Sequence, residues 1–181
     1  SKLIQIDAGG GGAHMWHQDY GYWYFNGCLM PNMSSVFIPI DDCTKNNGCL
    51  QVIKGSHKLG RLDHDLVGDQ RTAHKERVEQ ALSVLEHVYV EMGAGDALFF
   101  HCNLLHTSDQ NSSPDRRWAF ITAFNARGND PILDHYHPSF TPLQMVPDSA
   151  LLECDVMEDL EGKSFLDLNS DMTTNTGIAR H

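Results

Sequence analysis

Trp16-His17-Gln18-Asp19-Tyr20 is the stretch on which the reading of this chain turns. On a strand, side chains two residues apart share a face, so His17 and Asp19 would present an imidazole and a carboxylate side by side. His14 to Asp19 is therefore read as a strand, following an earlier one over residues 2–7 that Ala8 through Gly12 break. A His-x-Asp pair is no rarer than chance in a chain this rich in histidine and aspartate. Its meaning depends on the residues downstream of it.

Tyr20 to Phe25 is an aromatic cluster, Tyr-Gly-Tyr-Trp-Tyr-Phe, which can fill a core or sheet or can wall a pocket beside His17 and Asp19. Ser34 to Ile40 reads as an apolar strand, Asp41 to Gly48 as turn chemistry and Cys49 to Ile53 as another strand, so 34–53 resembles a hairpin. His57, in the loop that closes it, is read as structural. Between 70 and 86 the period changes: Val78, Ala81, Leu82 and Leu85 share one helical face, with Arg71, Lys75, Glu76 and Glu79 on the other. Strands return over His87–Met92, Ala97–His101 and Trp118–Asn125. Many short strands with turn signals and one clear internal helix argue for an all-β sandwich or barrel. Beyond Pro131 the chain is irregular, with a short acidic helix expected around Ser149–Leu160 and a frayed end from Asn169.

At 181 residues, 41% of them hydrophobic and 20% charged, the chain suits a single globular domain. No apolar run reaches the length of a membrane span, and no signal-peptide pattern opens the sequence. A formal net charge of −11 argues against nucleic acid or an anionic membrane as partner and permits a cationic or zwitterionic substrate. Five cysteines, odd in number and without paired spacing, read as reduced thiols in the cytoplasm.

A second imidazole on a late strand curling back against the first would complete a 2-His-1-carboxylate set, the facial triad of non-haem iron oxygenases. His101 and His106 both offer one. Arg117, eleven residues beyond His106, opens the next strand. A planar guanidinium matches a carboxylate bidentately, as an iron-chelating 2-oxo acid would need at its far end. Ser108 adds a hydroxyl, and Arg116 is the competing arginine. Another metal reading, a zinc hydrolase, would use His135-Tyr136-His137, which Pro138 and the lack of a nearby third ligand disfavour.

The ordered set resembles the phytanoyl-CoA dioxygenase superfamily of Fe(II)/2-oxoglutarate oxygenases, in its ectoine-hydroxylase-like, small-substrate branch. The resemblance rests on His17-Gln18-Asp19, Asn46-Asn47-Gly48-Cys49-Leu50, Lys54-Gly55-Ser56-His57 and Gly95-Asp96-Ala97-Leu98-Phe99-Phe100. His106-Thr107-Ser108, Asn111 and Arg117 complete it. It implies a double-stranded β-helix (jelly roll, cupin-like), iron on His17, Asp19 and His106, and 2-oxoglutarate on Arg117 and Ser108, with dioxygen as the other co-substrate. It also favours His106 over His101, places Phe37 near a co-substrate contact and matches Trp23 to a substrate-lining aromatic, beside which Tyr20 and Tyr22 are candidates.

The implied activity is hydroxylation of a small organic metabolite with release of succinate and carbon dioxide. The alternative is a jelly-roll metal protein that binds a small ligand without oxidising it. No basic cluster beside the site offers a grip for coenzyme A phosphates. The expected organisation is a core over 1–128 and an extension over 129–181 packing on it. Only 16 residues precede His17, so the core is expected either to lack an N-terminal part or to build its pocket differently.

Overall fold

A computed structural model describes residues 1–68, 70–133 and 142–155. Its elements in chain order are β1 (Lys2–Ile6), β2 (His14–His17), α1 (Asp19–Phe25), β3 (Met33–Pro39), β4 (Leu50–Ile53), β5 (His64–Val67) and β6 (Gln70–Ala73). They continue with α2 (Lys75–Val84), β7 (His87–Val90), β8 (Leu98–His101), β9 (His106–Ser108), β10 (Arg117–Asn125) and α3 (Ala150–Glu153). Two four-stranded sheets carry the fold, in the orders β1-β10-β3-β8 and β2-β9-β4-β7. Every pairing within them is antiparallel. From β1 to β4, and again from β7 to β10, successive strands fall in opposite sheets. That winding is the double-stranded β-helix, or jelly roll. The β5–β6 hairpin and α2 are inserted between β4 and β7.

Alternation along β3 turns Met33, Ser35, Phe37 and Pro39 inward, and all four are buried. Phe37 packs with Cys43, Cys49, Phe100 and Ala119 between the sheets. A second apolar cluster, Ile53, Ala73, Val78, Ala81 and Leu105, joins the second sheet to α2 and β6. A third, Tyr20, Cys28, Met33 and Cys102, lies under α1. All five cysteines are free thiols, four of them buried.

Several sequence expectations change here. The 34–53 segment is not a hairpin, because β3 and β4 belong to different sheets. Its connection, Ile40–Cys49, carries the chain across the sandwich rather than turning it back. The expected strand at His14 stops at His17, and Asp19 opens a helix that contains the aromatic cluster. Bulky β-formers were overridden there by tertiary contacts, since the Tyr20 N–H donates to Cys102 O at 3.0 Å and so ties the helix start to the β8–β9 turn. The internal helix starts at Lys75, and Arg71 is a residue of β6. Leu82 stays partly exposed. Of the helix expected over 149–160, Ala150–Glu153 is helical. His135-Tyr136-His137 and the tail from Asn169 lie outside the described residues.

Candidate functional site

Strand β2 lies antiparallel to β9, with His17 opposite His106 and His14 opposite Ser108. Gln18 then ends the strand. Its side chain is fully buried, donating from Nε2 to Gly60 O (2.8 Å) and Asn103 O (2.7 Å) and accepting at Oε1 from Leu62 N (2.7 Å). Its backbone N–H donates to His64 Nε2 at 2.9 Å. Pinned by two loops and by His64 of β5, Gln18 redirects the chain so that Asp19, first residue of α1, swings its carboxylate back toward His17. His17 and Asp19 converge through this turn, not through strand alternation.

Asp19 Oδ1 lies 3.8 Å from His17 Nε2 and 3.5 Å from His106 Nε2. The three residues each offer a ligand atom within 4.8 Å of the others. Both imidazoles are oriented by their far nitrogen: His17 Nδ1 donates to Met15 O (2.8 Å) and His106 Nδ1 to Leu104 O (2.9 Å). A carbonyl can only accept, so Nδ1 carries the proton and Nε2 keeps its lone pair for the common centre. Burial, reinforced by His106, pulls the His17 pKa down to about 4, which keeps that lone pair available at neutral pH. The other carboxylate oxygen, Oδ2, accepts from Ser35 Oγ at 2.6 Å. Two imidazole nitrogens and one carboxylate oxygen, without thiolate, suit a divalent first-row metal such as Fe(II) and leave positions for other ligands. His101 lies apart from this group, an exposed residue of the other sheet whose Nδ1 accepts from Asn103 N.

Arg117, opening β10, is 2% exposed. Its Nε donates to Asn47 O at 3.0 Å, and the Cys43 thiol lies beside its guanidinium. Among the described residues it has no acidic partner, whereas exposed Arg116 pairs with Asp41 at 3.1 Å. Two braces hold Arg117. Asn47 ties its own turn through Thr44 N and Asp42 O, and Gly48, at φ +76°, packs where a Cβ would come within 2.3 Å of Asp109 O. Asn111, fully buried, binds Asp7 O, Asp115 O and Ser113 and so shapes the loop leading to Arg117. Ser108 is buried in β9, opposite both His14 and Leu50.

Phe37 sits in the inner core beside Phe100, whose ring is 5.1 Å from that of His106. Of the aromatics, Tyr20 is a core residue, while Tyr22 and Trp23 are half-buried with rings 5.6 Å apart. Arg61 and Arg71, remote in sequence, stack at 4.4 and 4.1 Å on Tyr24 and Phe25. The helix therefore carries two cations that no local basic run announced. Ser35, Gln18 and His64 also lacked any sequence signal, since each acts through contacts between distant segments.

Residues 3–119 match the family model described as Phytanoyl-CoA dioxygenase (PhyH). Phytanoyl-CoA dioxygenase 1 of Oryza sativa subsp. japonica is 34% identical over 119 residues, 66% of this chain and 41% of that protein. L-proline trans-4-hydroxylase of Streptomyces griseoviridis is 29% identical over 165 residues, 82% of this chain and 60% of that protein. The crystal structure of EctD from S. alaskensis with 2-oxoglutarate and 5-hydroxyectoine superposes with a TM-score of 0.62 at 24% identity, over 71% of this chain and 44% of EctD. That likeness speaks to the fold. The chain spans roughly half the length of the proteins it matches.

Proposed function

The chain belongs to the phytanoyl-CoA dioxygenase family, and from that premise we propose that it is a Fe(II)/2-oxoglutarate-dependent dioxygenase hydroxylating a small organic metabolite. The reaction consumes dioxygen and 2-oxoglutarate and yields hydroxylated substrate, succinate and carbon dioxide. The observation that carries this reading is the convergence of His17 Nε2, Asp19 Oδ1 and His106 Nε2, with each imidazole fixed in the ligating tautomer. These atoms would hold iron, which when bound supplies dioxygen activation and oxidative decarboxylation of the 2-oxo acid.

The chain's own residues provide orientation. Arg117, buried and without an acidic partner among the described residues, supports anchoring of the far carboxylate, with Ser108 adding a hydroxyl. Phe37 backs this region from the core. Half-buried Tyr22 and Trp23 are read as the aromatics that face substrate, with Tyr20 in the core cluster against which Trp23 packs. A small metabolite is the kind of substrate named for L-proline trans-4-hydroxylase and for the ectoine dioxygenase of Sphingopyxis alaskensis, 31% identical over 127 residues. Five free thiols support a cytoplasmic setting, and no described helix is long and apolar enough to cross a membrane. The start of the 129–181 extension is read as packing on the 1–128 core, supported by Ile132 N donating to Gly27 O and Asn129 Nδ2 to Met30 O, while 134–141 and 156–181 lie outside the described residues.

Succinate release with Fe(II), ascorbate and 2-oxoglutarate tests the reading. Wild type should turn over 2-oxoglutarate, and Asp19→Ala should fall to background. Succinate formed by Asp19→Ala at the wild-type rate would overturn the assignment. Metal binding by wild type with no affinity for 2-oxoglutarate would favour a ligand-binding jelly roll instead.

A further inference from the structure

Between the pairs His14–Ser108 and His17–His106, β2 spends three residues where β9 spends two. A regular strand sends a residue three positions away to the opposite face. The extra residue makes a bulge, so His14 and His17 point to the same side, with ring centroids 5.7 Å apart. The bulge therefore adds a third imidazole to the face that carries the triad, beside the cross-strand hydroxyl of Ser108.

The side chain of His14 differs from its neighbours. His17, His64 and His106 each donate Nδ1 to a backbone carbonyl. His14 is half-buried, and its ring nitrogens make no hydrogen bond to any described residue. A neutral imidazole presents one N–H donor and one lone pair. Arg117 reaches the same end of this sheet: its Nε donates to Asn47 O, and the adjoining Gly48 packs against Asp109, the residue after Ser108. Around one region stand a buried guanidinium without an acid, a buried hydroxyl and an uncommitted N–H. A carboxylate offers about four lone-pair sites and can accept from all three.

We propose that His14 is a third donor to the far carboxylate of the co-substrate, beside Arg117 and Ser108, and selects 2-oxo diacids over 2-oxo monoacids. The assignment rests on the 2-oxoglutarate reading of the site. It differs from a role in which His14 only steadies the ring of His17. A steadying residue would affect the metal and every 2-oxo acid alike, whereas a carboxylate donor affects only acids that have the far carboxylate.

Calorimetry on the full chain loaded with Mn(II) under nitrogen separates the two. The ligands are 2-oxoglutarate and 2-oxopentanoate, which keeps the five-carbon chain and loses the far carboxylate. His14→Phe should weaken 2-oxoglutarate about tenfold or more, since a hydrogen bond to a charged group is lost. It should leave 2-oxopentanoate and Mn(II) affinity unchanged. His14→Gln, which keeps an N–H donor, should recover most of the loss. Equal weakening of both acids, or a parallel loss of Mn(II) affinity, would overturn the proposal in favour of steadying. A wild-type chain that binds Mn(II) but neither acid would overturn the co-substrate reading itself, and the role of His14 with it.

Discussion

Asp19 has two oxygens with two different neighbours. Oδ1 faces both imidazole Nε2 atoms, and Oδ2 is held by the Ser35 hydroxyl at 2.6 Å. A hydroxyl bond to a carboxylate is charge-assisted and short, so it fixes the rotation of the group as well as its position. Ser35 is buried on β3 and leaves Oδ1 to serve the proposed metal. Ser35→Ala should therefore lower affinity for Mn(II) or Fe(II) by roughly ten- to a hundredfold, as loss of a group orienting a ligand does. Ser35→Thr should retain most of it. A metal titration followed by tryptophan fluorescence measures this, and unchanged affinity in the alanine variant would remove Ser35 from the site. The grouping of His17, Asp19 and His106 was legible in the sequence because imidazole and carboxylate suggest ligand chemistry at a recognisable order. Ser35 was not, because nothing local distinguishes it from Ser34, and only the pleat of β3 turns one of them to Asp19.

The start of α1 shows how an element can be misread while its consequence survives. Strand alternation would have placed His17 and Asp19 on one face. A strand ending at His17, a pinned Gln18 and a helix beginning at Asp19 bring them together by another route. The brace behind this turn is His64, which accepts from Gln18 N through Nε2 and donates Nδ1 to Leu62 O, both at 2.9 Å. Its ring lies against Gly21, where a Cβ would fall 2.2 Å from Cε1, so only glycine admits it. A second proton on His64 would set an N–H against the Gln18 N–H. Burial accordingly lowers its pKa from 6.5 to about 4. As pH falls from 6.5 toward 4, the unfolded chain takes up a proton that the folded chain refuses. The stability present above pH 6.5 is thus lost on acidification, by up to about 3 kcal/mol from this residue. His64→Gln keeps an acceptor and cannot titrate. Urea unfolding at about pH 7.5 and about pH 4.5 should show wild type losing roughly 2 kcal/mol more than the variant. Equal losses would mean that His64 does not carry this titration.

Across the whole molecule, the number and spacing of short strands made an all-β sandwich legible, and the family resemblance specified a jelly roll. The partition of strands between sheets was not legible, because the turn chemistry of 41–48 is the same whether the chain folds back or crosses over. The crossing decides where Arg117 sits. It opens a strand of the first sheet, yet its Nε bonds Asn47 O in the turn that leads into β4 of the second, and it is buried without an acidic partner among the described residues. An uncompensated buried charge costs several kcal/mol, and its bond to Asn47 O returns about 1.5–3 kcal/mol. A residue kept for stability alone would not be an arginine here. If Arg117 serves a ligand, Arg117→Met should leave the ligand-free chain as stable as wild type, or more stable by about 1 kcal/mol, since relief of the charge offsets the lost hydrogen bond. Wild type should gain several degrees in Tm when Mn(II) and saturating 2-oxoglutarate are added together, because binding to the folded state alone stabilises it. The variant should gain only the increment from Mn(II). Thermal scans of both chains with no ligand, with Mn(II), and with Mn(II) plus 2-oxoglutarate decide the matter. A variant that unfolds far below wild type without ligand would make Arg117 a structural residue. A variant that keeps the full 2-oxoglutarate increment would move the carboxylate anchor elsewhere.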